Sequence, residues 1–422
     1  MVRTLKFMGL LALIVIAHVL WSRQSERRAT EGGATTATTT ASSTDSSSAS
    51  GPSASFVAQT PVSWRTYRGD AAMSGACEGK LGDGLKLAWR FRTGGGAGGT
   101  VSAVKSSAVI DGGRVFIGAD DGRVYALTLE RGELIWSVNV GSAVSAPPLV
   151  LGSSVIVGTE GNGGVVYCLD VADGGERWSM PAGGKVVAAA NHFVDAAGRD
   201  CVLVGTHGNM LHGFDAADGK PLWSINMGSY VNAPCSVAGS MAVLAVCDGS
   251  VRVLDLTKAT DKVELDVSMP GLVATAMAVR AGKGYAADCR GPESLYCLDL
   301  SSGDVDWRRP LGAGTMAPAA VTDEYVLVVT AAAESALHCF TLAGEFVWRY
   351  AMSGGSNGGP LVVGDRVLLG GDDGYLRLLR LADGERLWQY RVGGPIESSP
   401  AIAAGFVIVG CNDGYVYAFR VE

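Results

Sequence analysis

The stretch YALTLERGELIW, from Tyr125 to Trp136, decides the fold because the chain repeats it. An apolar pair ends a strand, a turn carries Gly132, and Trp136 follows four residues after that glycine. The same spacing recurs in YCLDVADGGERW (167–178), HGFDAADGKPLW (212–223), YCLDLSSGDVDW (296–307) and RLLRLADGERLW (377–388), and HCFTLAGEFVW (338–348) is one residue shorter. A fixed period of this length indicates one supersecondary unit that is used many times.

The spacing of the tryptophans gives the number of units. The closing tryptophans stand at positions 89, 136, 178, 223, 307, 348 and 388, and all gaps but one are 40–47 residues long. The remaining gap, from Trp223 to Trp307, is twice as long, and its segment VRVLDLTKATDKV ends with Val263, which we expect in the tryptophan position. The chain therefore contains eight units.

Each unit predicts four antiparallel strands. In residues 106–136 apolar residues alternate and are separated by three turns, and an Asp-Gly turn recurs at Asp121, Asp248, Asp373 and Asp413. Such turns mark antiparallel hairpins, and four strands every 40–47 residues are typical of a β-propeller blade. The predicted fold class is all-β, an eight-bladed β-propeller of four-stranded antiparallel blades.

The two ends of the propeller segment predict how the ring closes. The last unit stops at Glu422 after three strands, and the strand with Trp89 arrives with no earlier strands of its own. The N-terminal strand is expected to join the last blade, because a closed ring leaves no open seam.

The first 60 residues have a different composition. Residues 1–28 contain an apolar run, 7–21, with basic residues on both sides, which indicates a membrane anchor or signal segment. No cysteine precedes Cys77, so a lipoprotein-type signal is not supported. Residues 29–60 are rich in Ser, Thr and Ala and predict a disordered linker. Residues 61–422 are expected to form the propeller, with the segment 63–75 leading into it.

Charge and cysteine usage exclude some classes of function. The formal net charge is −7, which argues against a nucleic-acid surface. Cys168, Cys297 and Cys339 stand where a sister unit has Ala126, and we interpret them as small buried apolar residues. Cys247 and Cys289 fall near corresponding strand ends of neighbouring units, so the sequence permits a disulfide between them.

The spacing of Ala126, Gly132 and Trp136 resembles the tryptophan-docking motif of the PQQ-type propeller repeat, over residues 62–422. In that family the indole stacks on the backbone of a neighbouring blade. The resemblance therefore implies a structural role for these docking residues: Trp89, Ala126, Gly132, Trp136, Gly174, Trp178, Gly219, Trp223, Gly303, Trp307, Trp348, Gly384 and Trp388.

Two branches of that family carry different functions. Quinone-dependent dehydrogenases hold pyrroloquinoline quinone and calcium over the channel, and many have an adjacent cysteine pair, which this chain lacks. BamB-like propellers are non-catalytic exported proteins held at a membrane by their N-terminus. The chain is similar to this second branch in length, anchor and blade number, but it lacks their lipidated cysteine.

No catalytic, cofactor-binding or metal site is predicted. The loop TGGGAGG (93–99) contains a nominal GxGxxG, but strand rather than helix follows it. His192, His207 and His212 lie in one unit without a convergent set of carboxylates or thiols. The recurring Asp before Gly is turn chemistry. Small inner residues, such as SSPA (398–401) and NAPC (232–235), are expected to leave room for a channel.

The sequence therefore predicts a non-enzymatic extracytoplasmic propeller that binds protein partners, implied by the resemblance to act in envelope protein assembly, with no cofactor and as a monomer. The alternative is a quinone-dependent oxidoreductase or ligand-binding propeller that uses the channel as its pocket, with Arg290 as a candidate channel residue. A carbohydrate-sensing propeller is a third class, which would need aromatic residues at the loop tips.

Overall fold

The structure is a computed structural model that describes residues 59–94, 101–258, 262–331 and 335–422. Regular structure in these ranges consists of β-strands joined by turns, and Phe56–Glu422 forms one compact unit. No helix within the described ranges is long and apolar enough to cross a membrane. The predictions for residues 1–28, for most of the 29–60 linker and for the glycines after Gly94 lie outside these ranges.

Strand order follows the chain. Two strands come first, β1 (Ala76–Cys77) and β2 (Leu85–Arg92). The first four blades follow: β3 (Val109–Asp111), β4 (Arg114–Gly118), β5 (Arg123–Thr128), β6 (Leu134–Asn139); β7 (Leu149–Leu151), β8 (Ser154–Gly158), β9 (Val165–Asp170), β10 (Glu176–Pro181); β11 (Asn191–Val194), β12 (Asp200–Gly205), β13 (Met210–Asp215), β14 (Pro221–Asn226); β15 (Ser236–Ala238), β16 (Met241–Val246), β17 (Ser250–Asp255), β18 (Val263–Ser268).

The remaining blades repeat this pattern. Their strands are β19 (Ala278–Arg280), β20 (Lys283–Ala287), β21 (Ser294–Asp299), β22 (Val305–Pro310); β23 (Ala320–Val321), β24 (Tyr325–Val329), β25 (Ala336–Thr341), β26 (Phe346–Ala351); β27 (Leu361–Val363), β28 (Arg366–Gly370), β29 (Tyr375–Arg380), β30 (Arg386–Arg391); β31 (Ala401–Ala403), β32 (Phe406–Gly410), β33 (Tyr415–Val421). Each blade is an antiparallel sheet, and β1 adds a parallel fifth strand to blade 7. The predicted eight-bladed all-β propeller is confirmed.

The predicted closure is also present. Strand β2 pairs antiparallel with β33, and Trp89 lies opposite Ala418 in the register that Trp136 shares with Ala126 in blade 1. The N-terminal strand is thus the outermost strand of blade 8, as the missing fourth strand of the last unit required. The ring is sealed by backbone hydrogen bonds between the two ends of the propeller segment.

We name the four strands of a blade A to D from the axis outward, because the first strands of neighbouring blades contact one another around the axis. The lower end of the ring carries the A–B and C–D turns, and the upper end carries the B–C turns and the D–A connections. The core lies between blades, where B and C strands are buried on both faces. A β-bulge recurs early in every D strand, next to the tryptophan position, and increases the local twist.

The segment of residues 60–77, which we name the axial segment, occupies the lower part of the central channel and contacts all eight blades. In seven blades, backbone N–H groups of the A strand or the A–B turn donate to carbonyl and hydroxyl oxygens of the axial segment over 2.7–2.9 Å. The donor–acceptor pairs are Ile110 to Trp64, Val150 to Arg65, Val237 to Ala71, Val279 to Ala72, Val321 to Ser74, Val362 to Gly75, Ala404 to Pro61 and Gly405 to Thr60; in blade 3 the Asn191 side chain donates to Ala71.

One charged side chain lies at the centre of this segment. Arg68 is fully buried, and its Nη2 donates to the carbonyl of Ala319 over 2.9 Å. Space for the guanidinium is left by two glycines, since a Cβ on Gly75 or Gly359 would overlap it. Burial lowers the pKa of Arg68 to about 10, which still leaves it charged near neutral pH. The axial segment is therefore packed into the channel as a part of the core.

The expectation of an open channel is wrong for this lower part. The small residues of motifs such as SSPA and NAPC make room for the chain's own axial segment. The physical reason is that an A strand at the axis leaves a row of unpaired N–H groups, and these need partners when they are buried. The axial segment supplies the partners.

We expect Arg68→Ala to lower the free energy of unfolding by about 2–4 kcal/mol, because it leaves a cavity and removes a charge-assisted hydrogen bond. Arg65→Ala is the matched control, since Arg65 lies in the same segment but its side chain is exposed and pairs only with Asp111 at the surface. Its effect should stay within about 1 kcal/mol. Guanidinium titration followed by tryptophan fluorescence measures both, and equal effects would contradict the role of Arg68.

Candidate functional site

The docking residues predicted from the sequence lie at the interfaces between successive blades. The indole of Trp89 lies against Gly132 of the next blade, where a Cβ would come within 2.5 Å of the ring, and its Nε1 donates to the carbonyl of Leu129 over 2.8 Å. The φ of Gly132 is +67°, so the turn requires glycine for two reasons. The same tryptophan-to-glycine contact joins further pairs: Trp136 and Gly174, Trp178 and Gly219, Trp307 and Gly344, Trp348 and Gly384.

The contact runs from one repeat to the next, whereas Ala126 lies opposite Trp136 within one blade. Gly344, in the shortened repeat, was missing from the predicted docking residues. Aligning the turns rather than counting from the tryptophan would have found it.

Blade 4 departs from the prediction. Val263 pairs with Leu254 and is partly exposed, whereas Leu265 pairs with Val253 in the register of the tryptophans. The prediction that Val263 takes the tryptophan position is therefore wrong, because Leu265 follows Val253 by 12 residues whereas Trp136 follows Ala126 by 10, so this repeat has two more residues between strands C and D. Gly303 of blade 5 accordingly lies near Leu265 and Val267 in place of an indole.

Two predicted tryptophans have other surroundings. The ring of Trp223 lies over Gly213 of its own blade, and Lys262 Nζ lies 5.0 Å from the ring centroid. Trp388 packs against Tyr390 and Phe419 at the closing blade. Both remain at blade interfaces. Among the described residues Trp223 has no glycine contact with the next repeat, whereas Trp388 has a looser one, since a Cβ on Gly84 would lie 3.8 Å from its Cδ1.

The upper end of the channel is formed by one residue from each B–C turn. In all eight blades the N–H of this residue donates to a carbonyl of the preceding D–A connection. The residues are Asp120, Glu160, His207, Cys247, Cys289, Ala331, Asp372 and Asn412. The repeat thus fixes the backbone while the side chains differ from blade to blade.

Acidic side chains gather on one side of this end, in blades 7, 8, 1 and 2. Lys105 Nζ lies 3.2 Å from Asp120, and Glu397 accepts a hydrogen bond from Asn412 over 2.7 Å. Neither carboxylate oxygen of Asp372 has a hydrogen-bond partner. Burial, followed by the nearby charges of Glu397 and Asp373, raises the pKa of Asp372 to about 7. This carboxyl group is therefore partly protonated near neutral pH.

Polar side chains line the opposite side, in blades 3 to 5. His207 stacks on Tyr230 and its Nε2 lies 3.1 Å from the Asn232 side-chain oxygen. Cys247 and Cys289 are free thiols, so the disulfide left open by the sequence is not formed. Burial raises the pKa of Cys247 to about 11, so its thiol is protonated and is a poor nucleophile near neutral pH.

The three histidines of blade 3 do not come together in one site. His192, His207 and His212 have separate surroundings, and His212 bonds to Ser224 and to the carbonyl of Ala182. Among the described residues no three His, Cys, Asp or Glu side chains are grouped as metal ligands. Arg290 is exposed in the B–C turn of blade 5, at the upper end. A cleft on the lower end, beside Cys77, is bordered by the Arg280–Asp323 ion pair.

A family model described as outer membrane protein assembly factor BamB matches residues 83–230, 162–317 and 291–422, and these overlapping matches cover well over half of the chain. The chain belongs to this family. The match includes every blade and begins after the axial segment.

Individual relatives agree with this membership. BamB of Burkholderia pseudomallei strain K96243 is 26% identical over 294 residues, which cover 66% of this chain and 74% of that protein. BamB of Moranella endobia strain PCIT is 21% identical over 274 residues, covering 65% and 61%. A polyvinylalcohol dehydrogenase from a Pseudomonas species is 30% identical over 156 residues, covering 32% of this chain and 24% of that enzyme.

Solved structures from both branches share the fold. BamB from Moraxella catarrhalis matches with a TM-score of 0.64 at 16% identity, over 80% of this chain and 98% of that one. Quinohemoprotein alcohol dehydrogenase from Comamonas testosteroni matches with a TM-score of 0.67 at 14% identity, over 85% and 80%. At these identities the likeness concerns the fold alone.

Replacing a docking tryptophan should loosen one blade interface. We expect Trp136→Ala to lower the free energy of unfolding by about 3–5 kcal/mol, because it removes a buried indole and its bond to the Val171 carbonyl. Ile135→Ala, at a partly exposed position next to it, should cost less than about 1 kcal/mol. Similar losses in the two variants, measured by chemical denaturation, would show that the interface does not depend on the indole.

The stability of the fold should depend on the protonation of Asp372. Its pKa is about 7 in the folded protein against an ordinary value of 3.8, so the folded state binds the extra proton between these values. The free energy of unfolding should therefore fall as the pH rises from about 4 to about 7. In Asp372→Asn this fall should shrink by about 1–3 kcal/mol, and the variant should be the more stable protein at pH 8.

The matched control for this pH series is Asp323→Asn, because Asp323 is exposed on an A–B turn and pairs with Arg280. Urea titrations at several pH values measure the slopes. If the free energy of unfolding of Asp372→Asn fell with pH as steeply as that of the wild type, other groups would cause the pH dependence. Glu397 and Asp373 would then be the first to test.

Proposed function

We propose that this protein is a non-catalytic, extracytoplasmic propeller that takes part in outer-membrane protein assembly by binding a partner protein. Membership of the BamB family is the observation that carries this proposal. In it, residues 7–21 hold the chain at a membrane, residues 29–60 are a tether, and the propeller acts as a monomer.

The axial segment supports a choice between the two ends of the ring. Residues 59 and 60 bond to Lys80 and Gly405 at the lower end, so the preceding 58 residues join the propeller there. The loops of the upper end are therefore not the place where the preceding residues join the propeller. We therefore propose the upper end as the partner-binding surface.

The chemistry of the upper end fits such a role. It combines the acidic side around Asp120, Asp372 and Glu397 with the polar side around His207 and Tyr230. Loops on a rigid scaffold are the usual place for binding residues. An acidic rim favours a partner segment that carries basic residues, through long-range electrostatic attraction.

The alternative of a quinone-dependent oxidoreductase has less support. The match to a polyvinylalcohol dehydrogenase covers only 24% of that enzyme. The match to a solved quinohemoprotein alcohol dehydrogenase is at 14% identity and concerns the fold. The channel that such an enzyme would use as its pocket is filled in its lower part by the axial segment, with the guanidinium of Arg68 buried inside.

A photo-crosslinking amino acid at Met316 tests the proposal in cells. Met316 is 42% exposed on the D–A connection of blade 6, at the upper end. Arg131, exposed on the C–D turn of blade 1, is the matched position at the lower end. We expect a protein of the outer-membrane assembly machinery to be crosslinked from position 316 and not from 131, as identified by mass spectrometry.

The two parts of the proposal fail separately in this experiment. Crosslinks from position 131 alone would keep the partner but reverse the choice of end. Crosslinks from neither position above the background of an unmodified chain would contradict the assembly role.

A further inference from the structure

The third residue of strand C differs in one blade from the others. This difference points to a ligand-binding site that has no part in the proposed assembly role. In six other blades this side chain has a polar partner. Tyr296 donates to Asp288 over 2.9 Å, Arg252 pairs with Asp248 over 2.9 Å, and Tyr417 donates to Asp413 over 2.5 Å. His212 of blade 3 reaches the carbonyl of Ala182, at the end of the preceding blade, over 3.1 Å.

His338 holds this position in blade 6 and lacks such a partner. It lies opposite Val328, as His212 lies opposite Val204. His338 is more than nine-tenths buried, yet its Nε2 has no hydrogen-bond partner. The carbonyl that corresponds to that of Ala182 belongs to Leu311. A buried nitrogen without a partner is costly, so this one requires an explanation.

A groove opens at this place, between the end of strand D in blade 5 and strands C and D of blade 6. Its volume is about 440 Å³, within the range of small-molecule sites. Leu311, Phe340 and Phe346 provide apolar walls, and His338 lines the groove among them. Phe346 is 60% exposed although its ring packs edge-on against that of Phe340. The exposed ring therefore adds apolar surface at the side of the groove.

Positive charge borders the groove. The guanidinium of Arg309 donates to the carbonyls of Gly344 and Arg308 and lies over the ring of Trp307, all of them uncharged partners. Arg349 also lines the groove. Burial and the charge of Arg349 lower the pKa of His338 to about 4, so its imidazole is neutral near pH 7. A neutral imidazole can donate one hydrogen bond without adding charge.

We propose that this groove binds a small apolar carboxylate. The apolar part of the ligand contacts Leu311, Phe340 and Phe346, the carboxylate pairs with Arg309, and the orphan Nε2 of His338 donates a hydrogen bond to it. Guanidinium groups are the preferred partners of carboxylates because the charge and the donor geometry both match. The groove includes Leu311, at the start of a D–A connection, so it borders the upper end, but it includes no residue of the B–C turns.

The probe is 4-(trifluoromethyl)phenylacetate, an aromatic carboxylate, titrated with the propeller-bearing full chain and followed by fluorine NMR. Its neutral amide is the ligand control. We expect the acid to bind saturably and about tenfold or more tightly than the amide, and Arg309→Gln to remove this preference. Equal affinity for acid and amide, or no saturable binding of the acid, would overturn the proposal.

A matched pair of protein variants locates the site. Phe346 and Leu134 are both exposed first residues of a D strand, but only Phe346 lines the groove. Phe346→Glu should weaken acid binding about tenfold or more, through charge repulsion and lost apolar contact, whereas Leu134→Glu should leave it unchanged. Unchanged binding in Phe346→Glu, with both variants folded as judged by circular dichroism, would place the ligand elsewhere and reject this groove.

Discussion

Eight short A strands converge on the axis, and the need to satisfy their edges governs the rest of the structure. Each A strand pairs on one side with its own blade and turns its other side toward the channel. The axial segment accepts hydrogen bonds from every blade, through backbone N–H groups in seven and through the Asn191 side chain in blade 3. Because buried N–H groups without partners cost free energy, this segment and the ring stabilise one another.

The same constraint explains the composition of the inner ring. Residues at the axis are small or β-branched, such as Val237 and Val279, because the axial segment passes within hydrogen-bonding distance of their backbone. Glycine appears where the buried guanidinium of Arg68 needs space, at Gly75 and Gly359. The contacts that hold the axial segment are thus distributed over the whole ring, and every blade contributes some of them.

The repeat made most of the fold predictable from the sequence. The spacing of Trp136, Trp178 and their relatives gave the blade number, and the unmatched strand of Trp89 gave the closure. The tryptophan position of blade 4 was predicted wrongly, because this repeat has two more residues between strands C and D than the repeat of blade 1. The axial segment was not predicted, since its partners lie up to about 340 residues away and no local pattern encodes such pairing. The unpartnered nitrogen of His338 is likewise a property of three-dimensional surroundings that the sequence does not display.

The order of the partners along the chain has a consequence for how the molecule forms. The axial segment is synthesised before any of the blades, yet it bonds to residues as distant as Ala404. Strand β2 likewise has no partner until β33 has been made. Chains that have not reached their last residues hold blades whose axial edges are unpaired and whose ring is open. Native structure is therefore completed only after β33 has been synthesised, and chains without it expose the strand edges on which aggregation begins. A chaperone that shields these edges would act on the newly made propeller itself, before the propeller can act on any partner.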